Sequence, residues 1–254
     1  MTLSVAGAPL IAYLLASIRI IAWLALVPPF SSKSVPAMAK VVLSLGLAFA
    51  TTPSIAAGSL PTSTPGLVGT AAVQALVGAA MGFVTYLLFS TIGAVGGLVD
   101  LFGGFAVAQA FDPLAMNVNT VFGRFHQMLA VMLLFATNGH LLVIGGLLKT
   151  FDVLPVGATP SLVGGEDVLL KAFSVFFVTS VQIALPLIAV LFVADLAMAL
   201  LTKVAPQLNA INVMFPAKIG LTLIVLGLSL PVLPQAMHRM VELSNEAMSA
   251  LVGA

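Results

Sequence analysis

Charge is what this chain of 254 residues has least of: nine Lys+Arg and eight Asp+Glu, 7% of the whole. A soluble domain carries about a quarter charged residues. The shortage excludes a soluble globular protein, and 61% hydrophobic residues with a mean hydropathy of +1.20 point to an integral membrane protein. The near balance of acid and base leaves no basic patch for nucleic acid. Cysteine is absent, which excludes disulfides, thiolate metal sites and cysteine nucleophiles. The three histidines, His126, His140 and His238, have no i, i+4 spacing to one another, so no metal site is expected. No H-E-x-x-H, G-x-S-x-G or phosphate loop occurs, and the glycines at 93–104 do not follow the G-x-G-x-x-G order of a dinucleotide fold. Neither catalysis nor a cofactor is expected. The first ten residues, MTLSVAGAPL, lack a basic stretch, so a cleaved signal peptide is not expected either.

Apolar length is what the chain has in abundance. A bilayer span takes roughly 20 apolar residues. Six segments meet that measure, about 9–28, 36–56, 67–92, 126–148, 170–201 and 211–234. They predict an all-α membrane protein of about six long helices. Loops are expected near 29–35, 57–66, 93–125, 149–169 and 202–210, with a short amphipathic tail after Pro234. In the third segment Gly78-x-x-x-Gly82, and after it Gly93-x-x-x-Gly97, predict the close approach of another helix. Pro186, Pro231 and Pro234 predict kinks or early stops.

Two stretches break the apolar pattern. The first, Gly93 to Arg124, begins within Val41–Val99 and is followed by Phe125–Leu148, both free of Asp, Glu, Lys and Arg. Its Asp112-Pro113 pair and Asn117-Val118-Asn119 run continue a helix poorly. Irregular backbone at membrane depth is tolerated only where protein buries it or it lines a cavity. One reading is therefore a loop that sits in and closes a passage; the other is an ordinary exposed interhelical loop. The second stretch, 202–220, sets Pro206, Gln207, Asn209, Asn212 and Pro216 between two apolar helices, flanked by Lys203 and Lys218. Amides that dense are costly in lipid, so they should cap helix ends or bond a neighbouring subunit.

Charges inside apolar segments need partners. Arg19 lies in the first segment, and Asp100, Asp112 or Asp195 is expected to pair with it. A structural ion pair, a snorkelling side chain and a proton relay are all compatible with its position. His140, in Asn138-Gly139-His140, is expected at a helix interruption, satisfied by backbone groups.

Along nearly the whole chain the residues also resemble a known family. Ala205-Pro206-Gln207-Leu208-Asn209 followed by Phe215-Pro216-x-Lys218 is similar to the signature of the FliR family, the flagellar branch of the type III secretion export gates. Arg19, Pro28-Pro29-Phe30, Val35-Pro36 and Lys40 resemble its first helix and following loop. Gly97-Leu98-Val99-Asp100, Gly103-Gly104 and Asp112-Pro113 resemble its glycine-rich stretch. Asn138-Gly139-His140 and Thr150-Phe151 to Pro155 are similar to its later elements. Gln74 departs from an acidic residue, Thr150 from serine, and Asn117-Val118-Asn119 is more polar than the family pattern.

The resemblance implies a non-enzymatic subunit of an export gate in the bacterial inner membrane, at the flagellar basal body. It implies FliP-like, FliQ-like and FlhB-like partners, and unfolded proteins as cargo. It implies a FliP-like part at 1–165 fused to a FliQ-like helical hairpin at 166–254. It also makes 103–122 a plug, with Gly103, Gly104, Phe105, Phe111, Asp112, Pro113, Leu114, Met116 and Phe122 as plug residues. Apolar, deformable Phe and Met side chains suit a seal that stops ions yet yields to a polypeptide. A subunit interface is expected at Pro206, Gln207, Asn209, Phe215, Pro216 and Lys218, while Arg19, Asp100, His140 and Asp195 are expected as intramembrane polar residues of structural role. Two alternatives are a virulence member of the same family and a small ion-coupled transporter with an ion path through Arg19, Asp100 and Asp195, although no repeated half is present.

Overall fold

A computed structural model describes residues 7–55, 60–61, 63–105, 120–160, 164–205 and 210–253. Among them every regular element is helical. Eight α-helices follow in order: α1 Gly7–Leu24, α2 Ala37–Ile55, α3 Thr64–Gly103, α4 Val121–Ala136, α5 Gly139–Val153, α6 Gly165–Val204, α7 Ala210–Ser229 and, after a 3-10 turn at Leu230–Val232, α8 Leu233–Leu251. Three stretches are long and apolar enough to cross a membrane: Thr64–Gly103, Gly165–Val204 and Pro216–Leu251. The bent pair α4 and α5 makes a fourth if it is counted as one span. The protein is an all-α chain built for a membrane, as its composition predicts.

Two expectations are corrected. The loop expected from residue 93 starts later, because α3 continues to Gly103. Glycine costs a helix only about 1 kcal/mol each, and here glycines at helical spacing place a neighbour's backbone against α3. The apolar segment 126–148 is two helices, broken at Thr137–Asn138, where Asn138 takes a left-handed conformation with φ 56°. Asparagine reaches that region more readily than most residues, which explains both the break and the interruption expected before His140. Pro186 lies inside α6 and does not end it; by contrast Pro231 sits in the 3-10 turn that separates α7 from α8. The amphipathic tail after Pro234 forms, with Leu233, Met237, Met240, Val241, Ser244 and Met248 buried on one face.

The chain divides into two compact units. One comprises Met1–Leu88, Asn138–Phe173 and Met240–Ala254, the other Phe89–Thr137 and Ser174–Arg239. In the first, α1 buries a stripe of Ala12, Leu15, Ala16, Arg19, Ile20, Trp23, Leu24 and Val27, the i, i+3, i+4 spacing of one helix face. It packs along α2. It also meets α3 at the expected glycines: a Cβ on Gly82 would lie 3.1 Å from Trp23 O, and one on Gly78 would overlap the Arg19 carbonyl. In the second unit Val99, Phe122, Leu187 and Leu226 form a core, joined by Phe105 and Val225.

Candidate functional site

The second unit holds both ends of the 103–122 stretch. Gly96 on α3 has no side chain, and the backbone of Phe122 and Gly123 occupies the room a Cβ would need. That close approach brings the first turn of α4 over Asp100, one turn further along α3. One carboxylate oxygen, Oδ2, accepts hydrogen bonds from the backbone N–H of Phe122 at 2.8 Å and of Gly123 at 3.1 Å. The first N–H groups of a helix have no partner inside it and carry its positive dipole end. Asp100 therefore caps α4 from another helix. His126, one turn later, bonds the Phe122 carbonyl through Nδ1 at 2.8 Å, and both Asp100 and His126 are fully buried.

The α3 end is built differently. Gly104 follows the helix with φ 85°, a left-handed conformation that favours glycine. A Cβ there would lie 3.6 Å from Cδ and 3.7 Å from Cε of Lys218, and one on Gly103 would lie 2.9 Å from Cγ2 of Thr222. Lys218 and Thr222 are neighbours on α7, and the Thr222 hydroxyl donates to the Lys218 carbonyl at 2.8 Å. The Lys218 ammonium reaches Asp195 on α6, with Nζ 2.8 Å from each carboxylate oxygen. Phe105 then lies edge-on to Phe122, ring centroids 4.8 Å apart, so the two ends of the stretch touch. A segment between them begins and ends at one place.

Residues 10–244 match a family described as bacterial export proteins, family 1. The chain belongs to that family. It is similar to the flagellar biosynthetic protein FliR of Escherichia coli strain K12, 32% identical over 90% of this chain and 88% of the relative. It is also similar to FliR of Pectobacterium carotovorum, 31% identical over 85% of this chain and 83% of the relative. The FliR of Bacillus subtilis strain 168 is 28% identical, over 95% and 96%.

In this export-family chain the other polar cluster belongs to the first unit. Arg19 Nε donates to Gln74 Oε1 at 2.6 Å and Nη2 to the Leu154 carbonyl at 2.9 Å, with the guanidinium 4.2 Å above the ring centroid of Phe151. Gln74 Nε2 donates in turn to the Val156 carbonyl at 2.8 Å. Two of the three expected carboxylate partners are thus corrected: Asp100 caps α4 and Asp195 pairs with Lys218, while Asp112 lies outside the described residues; among the described residues Arg19 is held by neutral oxygens and an aromatic face. The planar fork uses Nε and Nη2 for these bonds, and its face lies over the aromatic ring. The glutamine that departs from the family pattern donates to Val156, which an ionised carboxylate cannot do.

Of the residues singled out in the sequence, Gly103, Gly104, Phe105 and Phe122 meet at the base just described, beside Asp100, Asp195 and Lys218. Phe111, Asp112, Pro113, Leu114 and Met116 lie outside the described residues, as do Pro206, Gln207 and Asn209. Phe215 belongs to α7, Pro216 is an exposed residue inside the same helix, and His140 is half-buried at the start of α5. Sequence reasoning missed Gly96, Thr222 and the Arg19 partners Gln74, Phe151 and Leu154. Gly96 was findable, since its spacing of four to Asp100 and a further three to Gly103 marks one face of a continuing helix.

Proposed function

We propose that the chain is a core subunit of the flagellar type III protein export gate, helping to form the pore that passes unfolded flagellar proteins across the inner membrane. The observation that carries this reading is the likeness, over nearly the full length of both chains, to proteins named for flagellar biosynthesis, within a family of export proteins. The FliP-like part at 1–165 and the FliQ-like hairpin at 166–254 belong to the proposal, as do FliP-like, FliQ-like and FlhB-like partners. So does the interface role of Pro206 to Lys218. The division at 165/166 falls at the first residues of α6. Many large apolar side chains of α6 face outward, among them Phe173, Phe177, Phe192 and Val193, which suits a hairpin covered by lipid and by other subunits.

The 103–122 stretch is the plug in this reading. Its two ends meet at one base, its residues include Phe105, Phe111, Leu114, Met116 and Phe122, and an apolar constriction stops ions by dewetting. The transporter alternative gains nothing from the geometry, because Arg19, Asp100 and Asp195 each have a separate local partner.

Gentle detergent extraction with a tag on Ala254, followed by mass spectrometry, tests the assembly. FliP- and FliQ-like proteins are expected in one large particle with this chain. A lone monomer or homodimer recovered from cells that contain those partners would overturn the reading. Deleting 110–118 is expected to leave the particle intact and make the membrane leaky to ions; a tight membrane would remove the plug.

A further inference from the structure

Where α5 ends, the chain makes its turn inside the first unit and not over the surface. Leu154 and Val156 are 4% and 1% exposed, and Pro155 between them has no N–H to offer. Within the turn, the Leu154 N–H donates to the Thr150 carbonyl at 2.9 Å and the Ala158 N–H to the Pro155 carbonyl at 3.0 Å. A buried carbonyl needs a donor too, because leaving it bare is costly. The donors to Leu154 and Val156 come from side chains of two other helices, Nη2 of Arg19 on α1 and Nε2 of Gln74 on α3. Arg19 Nε donates to Gln74 Oε1 as well, so each side chain holds the other. The two helices come close enough for this because Gly78, one turn beyond Gln74, leaves its side-chain room to the Arg19 backbone. Phe151, on the last turn of α5, lies against the guanidinium face.

We propose that Arg19 and Gln74 form a clamp that positions the turn at Leu154–Ala158, and that the guanidinium stands in an apolar helix to serve this backbone and not to neutralise a carboxylate. Each group is matched to that task. A guanidinium presents several N–H groups in one rigid plane, so Nε meets the glutamine while Nη2 meets the Leu154 carbonyl. Lysine carries the same charge as a compact ammonium on a flexible arm, without the fixed fork. Gln74 must accept from Arg19 and donate to Val156 at once, which an amide does and an ionised carboxylate does not. Glutamate at this place would bring the countercharge that a cation in an apolar helix usually has, yet it would strand the Val156 carbonyl. A charge-pairing role and a clamping role therefore give opposite effects for one substitution. All the groups involved lie in the first unit, and the clamp does not depend on the export reading.

The test uses the full chain in mild detergent. Because the chain has no cysteine of its own, Val156→Cys places a single thiol at a buried point of the turn. Its rate of modification by a small maleimide, read by mass, reports how often the turn opens. Val252→Cys, made separately and buried in the same unit, reports the same for a place outside the clamp. Gln74→Glu and Arg19→Lys are each expected to speed modification at position 156 about tenfold, the size of one lost buried hydrogen bond. At position 252 both are expected to leave the rate within about twofold of the parent. A rate at position 156 that Gln74→Glu leaves unchanged or slows would overturn the clamp, since countercharge would then be what the site requires. An unchanged rate with Arg19→Lys would overturn it too, because charge without the fork would suffice. So would an equal rise at both thiols, which would mean that the unit loosens as a whole.

Discussion

The helices α3 and α6 are each forty residues long and apolar, yet half of the most apolar stretch of α3 is buried against 17% for α6. Hydrophobicity does not account for the difference, since the more exposed α6 holds the more apolar stretch. Small residues and polar groups that reach for a neighbour's backbone do. Gly78, Gly82, Gly96 and Gly103 on α3 each have another element in the space a Cβ would take, while Gln74 and Asp100 on the same helix reach backbone groups elsewhere. After Gly165, α6 contains no glycine at all, and it turns Phe173, Phe177 and Phe192 outward. In a chain whose surface is as apolar as its interior, the inside is marked by what lets backbones approach.

If that is right, the largest effect comes from adding atoms to α3. Gly96→Ala puts a methyl group into the backbone of Phe122 and Gly123, where no flexible side chain is available to move aside. A loss of about 3 kcal/mol is expected, seen as a lower melting temperature of the detergent-purified protein. Gly69→Ala, on the same helix with nothing within 4 Å, is the control. It is expected to be neutral or to gain up to about 1 kcal/mol from helix propensity. Equal losses at both positions would break the comparison.

A smaller effect is expected at Asp100. Asp100→Ala leaves the N–H groups of Phe122 and Gly123 without acceptors, at a cost of roughly 2 to 3 kcal/mol. Asp100→Asn is the sharper variant. Both bonds go to a single carboxylate oxygen, so an amide oxygen can take its place, and only the charge facing the N-terminus of α4 is lost, about 1 kcal/mol. Melting temperatures in the order parent, Asn, Ala are expected. Asn as damaging as Ala would mean that the charge, and not the two bonds, holds α4 in place.

Much of this was legible in the sequence. The all-helical class follows from six apolar runs, the approach of α1 from Gly78 and Gly82, and the break before His140 from Asn138. What was not legible has physical causes. The pairing of Arg19 with Gln74 depends on two residues 55 positions apart whose chemistry does not demand one another. The continuation of α3 through Gly93 to Gly103 was hidden because glycine is a poor helix former on its own; its helical state comes from the packing of α4, which no local preference contains. Lys218 reads as a flank of the 202–220 stretch, and only the fold brings it under Gly104.

The least disruptive change is expected on α6, and it bears on what covers that helix. Phe192 is 61% exposed on an apolar helix. Phe192→Ala removes a large side chain that, within this chain, has few atoms to lose, so the melting temperature of the purified chain is expected to stay within the equivalent of about 0.5 kcal/mol. A buried phenylalanine cut to alanine costs about 3 to 5 kcal/mol, a difference too large to miss. A melting loss as great as that of Asp100→Ala would show that α6 is as much a core helix as α3. With the melt unchanged, the recovery of the full export complex becomes the informative quantity. A fall in recovered particles would place a protein neighbour against Phe192, because lipid tails fill the vacated volume and a folded partner's surface does not.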